Sequence, residues 1–171
     1  MNLEELQKAA ATHPSVTTLF NLGREYARLE LHELCIQTFS IALQAPGTGN
    51  EIRAAMMIFV GKSFSAMGDK ERCIALHLQS VAAYPEAREP RIELALALIE
   101  WGGANKDILQ VIDSGLETKT RITAAEFAGW DALPYELAAR TAFAENDQIK
   151  AHGYLNQMKV LELAPVMGLF G

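Results

Sequence analysis

The 171-residue sequence contains only two cysteines, Cys35 and Cys73, and neither has a second cysteine nearby. A disulfide framework or a zinc site needs several cysteines or histidines at close spacing, so we expect neither. No apolar run approaches the roughly 20 residues that span a bilayer, and the amino terminus, 1–5, has no basic stretch followed by an apolar one. We therefore expect a cytoplasmic protein with no signal peptide and no membrane partner.

Positive charge is also scarce. The formal net charge is −6, which provides no general attraction to a phosphate backbone, so a nucleic-acid partner is not expected. About half of the residues are apolar, and this is enough hydrophobic material for a continuous core. We expect a single domain over 1–171.

Catalytic motifs are missing as well. The sequence has no G-x-S-x-G, Walker or G-x-G-x-x-G pattern, and its acidic pairs fall on predicted solvent faces. Four histidines are scattered without the helical spacing of three or four residues that would let two share a metal, namely His13, His32, His77 and His152. We expect no enzyme activity, no cofactor and no metal site.

What the sequence does contain is a repeat. The segments 21–29 and 59–67 have the same pattern, and five pairs of positions are each separated by 38 residues: Gly23 and Gly61, Tyr26 and Phe64, Leu29 and Met67, Cys35 and Cys73, Phe39 and His77. In this register His77 replaces Phe39, so it is interpreted as a packed core residue. A single repeat unit cannot bury its apolar face alone, so the pattern predicts stacked units that form an extended binding surface.

Apolar residues recur at spacings of three and four along most of the chain, which predicts helices. We expect a leading helix capped by Asn2 and ended by Pro14, and a short extra turn and a folded-back tail in the less regular stretches 118–133 and 166–171. Between them, the predicted helices are 15–30, 32–44, 50–66, 69–84, one that opens at Pro90, one capped by Asn105, 134–144 and 148–163.

These residues resemble the tetratricopeptide (TPR) family over roughly 15–165. In that family a small residue lets two helices approach, a large residue fills the adjacent space, and a proline commonly follows the second helix. The first two units match best, the first with Gly23, Tyr26, Phe39 and Pro46 and the second with Gly61, Phe64 and Pro85. The match is weaker in the third unit, with Ala95 and Leu98, and in the fourth, with Ala139, Leu155 and Pro165. The resemblance implies an all-α, TPR-like α-solenoid of about four helix-turn-helix repeats that binds a protein or peptide without catalysis.

A narrower similarity joins 84–90 and 130–139 to the TPR segments of some family 2 glycosyltransferases. It implies an accessory module of such an enzyme, since the sequence has no Asp-x-Asp motif for a metal-bound nucleotide sugar. A third alternative is a structural subunit of a larger assembly, in which apolar residues of the end helices and tail are covered by neighbours.

In TPR arrays the first helix of each pair lines a groove. The resemblance places there Phe20, Asn21, Arg24, Arg28, Phe59, Lys62, Glu93, Leu96 and Arg140. Cations and aromatics at such positions suit a peptide with an acidic group and an apolar anchor, although a solvated face would have the same composition. The positions of the chaperone-tail clamp carry Phe20, Arg24, Phe59, Glu89 and Glu93, and because the glutamates would repel a terminal carboxylate we expect no binding of chaperone tails.

Overall fold

The structure is a computed structural model and describes residues 2–119, 122 and 132–160. These residues form helices joined by short turns, and within the same ranges the only β-type pairing is an isolated bridge between Ala87 and Lys119. The helices are α1 (Leu3–Thr12), α2 (Val16–Arg28), α3 (His32–Leu43), α4 (Asn50–Ala66), α5 (Lys70–Ala83), α6 (Glu89–Glu100), α7 (Asn105–Leu116), α8 (Leu133–Ala144) and α9 (Gln148–Val160). The predicted all-α, TPR-like class is confirmed.

The chain divides into two compact units, 1–85 and 86–171, which are described separately. The single domain expected over 1–171 stays a prediction. Among the described residues, no helix is both long and apolar enough to cross a membrane.

The first unit contains α1 and two helix pairs. Helix α2 packs against α3 and α4 against α5, while α3 also packs against α4, and α1 lies on α2. Helix α1 starts where predicted, because the Asn2 side chain accepts from the Glu5 amide and the Glu5 carboxylate accepts from the Asn2 amide. The pairs therefore follow one another as a helical repeat requires.

Both pairs of the first unit close on a glycine. A Cβ atom added to Gly23 would lie 2.6 to 2.9 Å from three ring atoms of Phe39, and one added to Gly61 would lie 2.9 to 3.2 Å from three ring atoms of His77. Distances this short leave no room for a side chain, so each glycine permits the close approach of two helices. The 38-residue register predicted from sequence thus corresponds to the same contact made twice.

The turn between α4 and α5 joins the two helices predicted over 50–66 and 69–84. Gly68 has a φ of +79°, the left-handed conformation that ends a helix, and Asp69 caps α5 by accepting from the Arg72 amide at 3.0 Å. In the turn between α2 and α3, the left-handed position is taken by Glu30, with a φ of +57°. The first turn therefore forms without the glycine that marks the second.

The second unit contains the pairs α6 with α7 and α8 with α9, and α7 also packs against α8. One buried cluster joins these helices, formed by Ile92, Ala95, Ile108, Leu109, Ile112, Leu137, Ala138, Ala139, Ala142, Ala151 and Tyr154. Pro90 and Pro134 lie in the first turns of α6 and α8, as predicted, where a missing amide costs nothing.

The predicted cap of α7 is wrong. Ala104 is the N-cap residue, and its side chain makes no capping hydrogen bond. Asn105 is instead the first helical residue. Its side-chain Nδ2 donates to the Glu145 carboxylate at 2.8 Å, so the side chain that could have capped the helix is bonded to a residue 40 positions away. The extra turn expected in 118–133 lies mostly outside the described residues, as do the end of the predicted helix 148–163 and the tail 166–171.

Candidate protein-binding face

Helices α2 and α4 are the first helices of the two pairs in the first unit, and each carries a cation at the same repeat position. Arg24 follows Gly23 and Lys62 follows Gly61, and α2 contacts α4 directly. Because the axes of packed helices lie about 10 Å apart, we expect these two cations to belong to one surface. We call the surface of Phe20, Asn21, Arg24 and Lys62 the α2–α4 face.

An aromatic cluster supports this face from behind. The Phe20 ring lies 5.8 Å from the Phe39 ring and 6.3 Å from the Phe59 ring, and Phe39 and Phe59 are stacked at 5.7 Å. Such pairs are worth about 1 kcal/mol each beyond their buried area. The cluster therefore fixes the position of Phe20 relative to the two helices.

Phe20 is the accessible ring of the cluster, and Arg24 lies against it. Phe20 is half-buried, and the Arg24 guanidinium lies over its ring at 5.9 Å from the centroid. Phe59, in contrast, is only 8 % exposed. Of the two aromatics predicted for the groove, Phe20 offers surface, while Phe59 mainly packs against its neighbours.

Arg28 is engaged within its own helix. Its guanidinium donates twice to the Glu25 carboxylate, at 2.9 and 2.6 Å, and this bidentate pair lowers the pKa of Glu25 and raises that of Arg28. The charge of Arg28 is thus largely balanced by its neighbour. Lys62 is exposed, and its positive charge adds to the effect of burial in lowering the pKa of His77.

Three predicted groove residues belong to the second unit, namely Glu93, Leu96 and Arg140, and Leu96 is half-buried against the core cluster of that unit. Arg140 is exposed and pairs with Glu136 at 2.7 Å on α8, whereas Glu93 is 3 % exposed on α6. Glu89, one turn earlier, is 1 % exposed and accepts from the Ile122 amide at 2.8 Å. Both glutamates at the chaperone-clamp positions are therefore buried, and the absence of chaperone-tail binding stays a prediction.

Sequence reasoning missed a polar arrangement in the second unit. The Tyr154 hydroxyl on α9 donates to Asp113 on α7, and the Lys150 ammonium donates to the other oxygen of the same carboxylate at 3.1 Å. Burial and the bond to Asp113 raise the pKa of Tyr154 to about 12. Because these residues are some 40 positions apart, no local spacing could have indicated them.

This arrangement lies at the edge of a cavity of about 670 Å³ in the second unit, lined by Lys106, Leu109, Gln110, Asp113, Ser114, Glu117, Glu145, Asp147 and Lys150. Its carboxylates are at least partly engaged, since Asp113 holds Lys150 and Glu145 holds Asn105. No group of three metal-ligating side chains occurs within the described ranges. We interpret the cavity as a space beside the hydrogen bonds that join α7 to α9.

Comparison with solved structures agrees with the fold. No protein-family model matches the sequence, and no curated protein matches it. The chain is similar to MamA with a TM-score of 0.70 at 15 % identity, covering 94 % of this chain and 86 % of that one. It is similar to PilF of Pseudomonas aeruginosa with a TM-score of 0.69 at 21 % identity, covering 92 % and 66 %.

A third neighbour is YrrB, described as a TPR protein with an unusual peptide-binding site, with a TM-score of 0.63 at 16 % identity, covering 96 % of this chain and 77 % of that one. At identities this low, the likeness concerns the fold alone. The helical-repeat architecture of this chain is therefore that of TPR proteins, and the predicted association with a glycosyltransferase stays a prediction.

Proposed function

We propose that the protein is a non-catalytic scaffold that binds another protein or a peptide through the α2–α4 face. The observation that carries the proposal is the repetition of a cation, Arg24 and Lys62, at the same position of two packed helices, next to the half-buried ring of Phe20. Two cations beside an aromatic surface suit a ligand that has carboxylates and an apolar side chain. The TPR-like fold of the neighbours, one of which is described as peptide-binding, is consistent with such a role.

The partner would be a protein rather than a nucleic acid or a membrane, because the chain carries an excess of acidic residues and the described helices include no membrane span. A cytoplasmic location is part of the same proposal. Catalysis is not part of the proposal. The described histidines, cysteines and acids form no cluster that could hold a metal, and the sequence lacks the motifs of nucleophilic or phosphate chemistry.

A pull-down from the native source tests the proposal. The parent protein is compared with the double variant Arg24→Glu and Lys62→Glu, and with the control Lys8→Glu and Lys70→Glu, which changes the net charge by the same amount at exposed positions on α1 and α5. We expect the parent and the control to retain the same partner and the first variant to lose it. If all three recover the same proteins in equal amounts, the α2–α4 face is not the binding surface.

One observation favours the alternative of a subunit in a larger assembly. Several large apolar side chains are exposed, with Ile149 on α9 at 90 %, and also Ile41 on α3 and Leu78 on α5. Contact between copies would remove these side chains from water. Mass measurement in dilute solution distinguishes the cases: a concentration-dependent oligomer supports assembly, and a stable monomer rules out assembly with itself.

A further inference from the structure

The two repeats of the first unit make the same contact with chemically different rings. In α3 the ring against the glycine of α2 is Phe39, and in α5 the ring against the glycine of α4 is His77. Both rings are buried, with His77 only 1 % exposed. A phenyl ring is indifferent to protons, whereas an imidazole ring is not.

The surroundings of His77 do not accommodate a charge. Its Nδ1 atom is buried and has no hydrogen-bond partner among the described residues. The ring is close enough to Gly61 that an added Cβ would lie 2.9 Å from Nε2, so the helices cannot close further to provide a new acceptor. An imidazolium at this position would be a buried, uncompensated cation.

Nearby charges make protonation harder still. On α4, Lys62 follows Gly61 and adds a repelling positive charge, while Glu51 and Arg53 lie at the far end of that helix, about 12 to 15 Å along the axis. On α5 itself, Cys73 is a buried thiol one turn away, and Lys70, Glu71 and Arg72 occupy the first turn. Burial and the charge of Lys62 lower the pKa of His77 from 6.5 to about 4.

We propose that α4 and α5 form an acid-sensitive pair, in which protonation of His77 separates the two helices while α2 and α3, closed by Phe39, stay packed. Acid would thus act on one repeat of two that are otherwise alike. Since α4 carries Lys62 and Phe59, loosening this pair would also disturb the α2–α4 face; this consequence rests on the proposed function, whereas the separation of the helices does not.

The sign and size of the effect follow from linkage. A histidine whose pKa is lower in the folded state stabilises the fold fully above the unfolded value of about 6.5, and this stabilisation is lost as the pH falls toward 4. Between pH 7.5 and pH 5.0, His77 should raise the unfolding constant roughly 30-fold. Other groups add their own acid effects, so a variant is needed to isolate this one.

Urea unfolding of the full chain at both pH values provides that isolation. We expect His77→Phe to be at least as stable as the parent at pH 7.5, since the phenyl ring of Phe39 makes the equivalent contact in the other pair, and to remove the 30-fold increase at pH 5.0. The exposed His152→Phe is the matched control and should retain the increase. An equal acid loss in the parent and in His77→Phe would overturn the proposal.

Hydrogen exchange of the unmodified protein gives the location and does not depend on any variant folding. After correction for the intrinsic rates, the increase in exchange from pH 7.5 to pH 5.0 should be larger in peptides from α4 and α5 than in peptides from α2 and α3, which share only the acceleration that comes from global unfolding. The exchanged variant Phe39→His with His77→Phe should transfer the acid response to α2 and α3. Equal acceleration in both pairs of the parent protein would show that acid loosens the unit as a whole and would contradict the proposal.

Discussion

The two units reach the same helix pairing by different combinations of side-chain size. In the first unit a glycine on the first helix faces a ring 16 residues later, as Gly23 faces Phe39 and Gly61 faces His77. In the second unit the corresponding residues are Ala95 with Val111 and Ala139 with Leu155, all of which belong to or pack against one core cluster. At these positions the second unit has a methyl group where the first has none, and an aliphatic side chain in place of a ring.

The units also differ in charge. Residues 1–85 carry seven basic and eight acidic residues, whereas 86–171 carry eight and thirteen, so nearly all of the net charge of −6 belongs to the second unit. The first unit is therefore the better place for an acidic ligand, and the α2–α4 face lies there. The following predictions test this comparison between the units, from the largest expected effect to the smallest.

Removing the Phe39 side chain from the first unit should have the largest effect on stability. Phe39→Ala deletes a fully buried side chain that contacts Phe20 and Phe59, and it should lower the free energy of unfolding by about 4 kcal/mol. Val111→Ala, at the corresponding position of the second unit, is half-buried and should cost about 1 kcal/mol. Urea denaturation measures both; equal losses would mean that the ring has no special role in the first unit.

Adding volume at the glycine contact should come next. Gly61→Leu places a side chain where a Cβ already lies 2.9 Å from His77, and it should destabilise the protein by about 3 kcal/mol. Gly153→Leu is the matched control, because no atom of the described residues lies within 4 Å of a Cβ at that helical position of the second unit. Melting curves should separate the two variants; an unchanged curve for Gly61→Leu would mean that the close contact lies elsewhere.

A smaller effect is expected from the polar link between α7 and α9. Tyr154→Phe removes the bond to the Asp113 carboxylate and should cost about 2 kcal/mol, because a hydrogen bond to a charged acceptor is stronger than one between neutral groups. Tyr26→Phe removes only the neutral bond that Gln7 donates in the first unit, and it should cost about 1 kcal/mol or less. If Tyr26→Phe were the more damaging of the two, the link to Asp113 would not stabilise the second unit.

The exposed ion pairs should contribute least in both units. Arg28→Ala breaks the pair with Glu25 and Arg140→Ala the pair with Glu136, and neither should shift the melting temperature measurably because water and salt screen exposed charges. Calorimetry in low and physiological salt is the appropriate measurement. A clear loss for either variant would assign that pair a structural role that its exposure does not suggest.

Local features of the fold could be predicted from the sequence because their causes are local. Helix α4 runs over 50–66 as expected, since the glycines before and after it and its apolar spacing act within a few residues. The burial of His77 as a packed core residue also followed from the repeat register. The cap of α7 could not be predicted, because the competition for Asn105 comes from Glu145 on another helix pair.

The candidate face was predictable in part for the same reason. Arg24 and Lys62 occupy matching repeat positions, and the resemblance to TPR proteins places both on the groove side, which stays a prediction. The burial of Phe59 and Glu93 depends on what packs above these side chains in three dimensions, which a helical period does not encode. The link from Tyr154 to Asp113 is likewise a product of tertiary packing.

Site-specific photo-crosslinking in the native host tests most directly whether the α2–α4 face binds a partner. A photoreactive residue would replace Asn21 on α2 or the exposed Ala66 on α4, with the exposed Gln79 on α5 as the control position. We predict that positions 21 and 66 capture the same protein and that position 79 captures little of it. Capture that is equal at all three positions, or stronger at 79, would contradict a binding surface formed by α2 and α4.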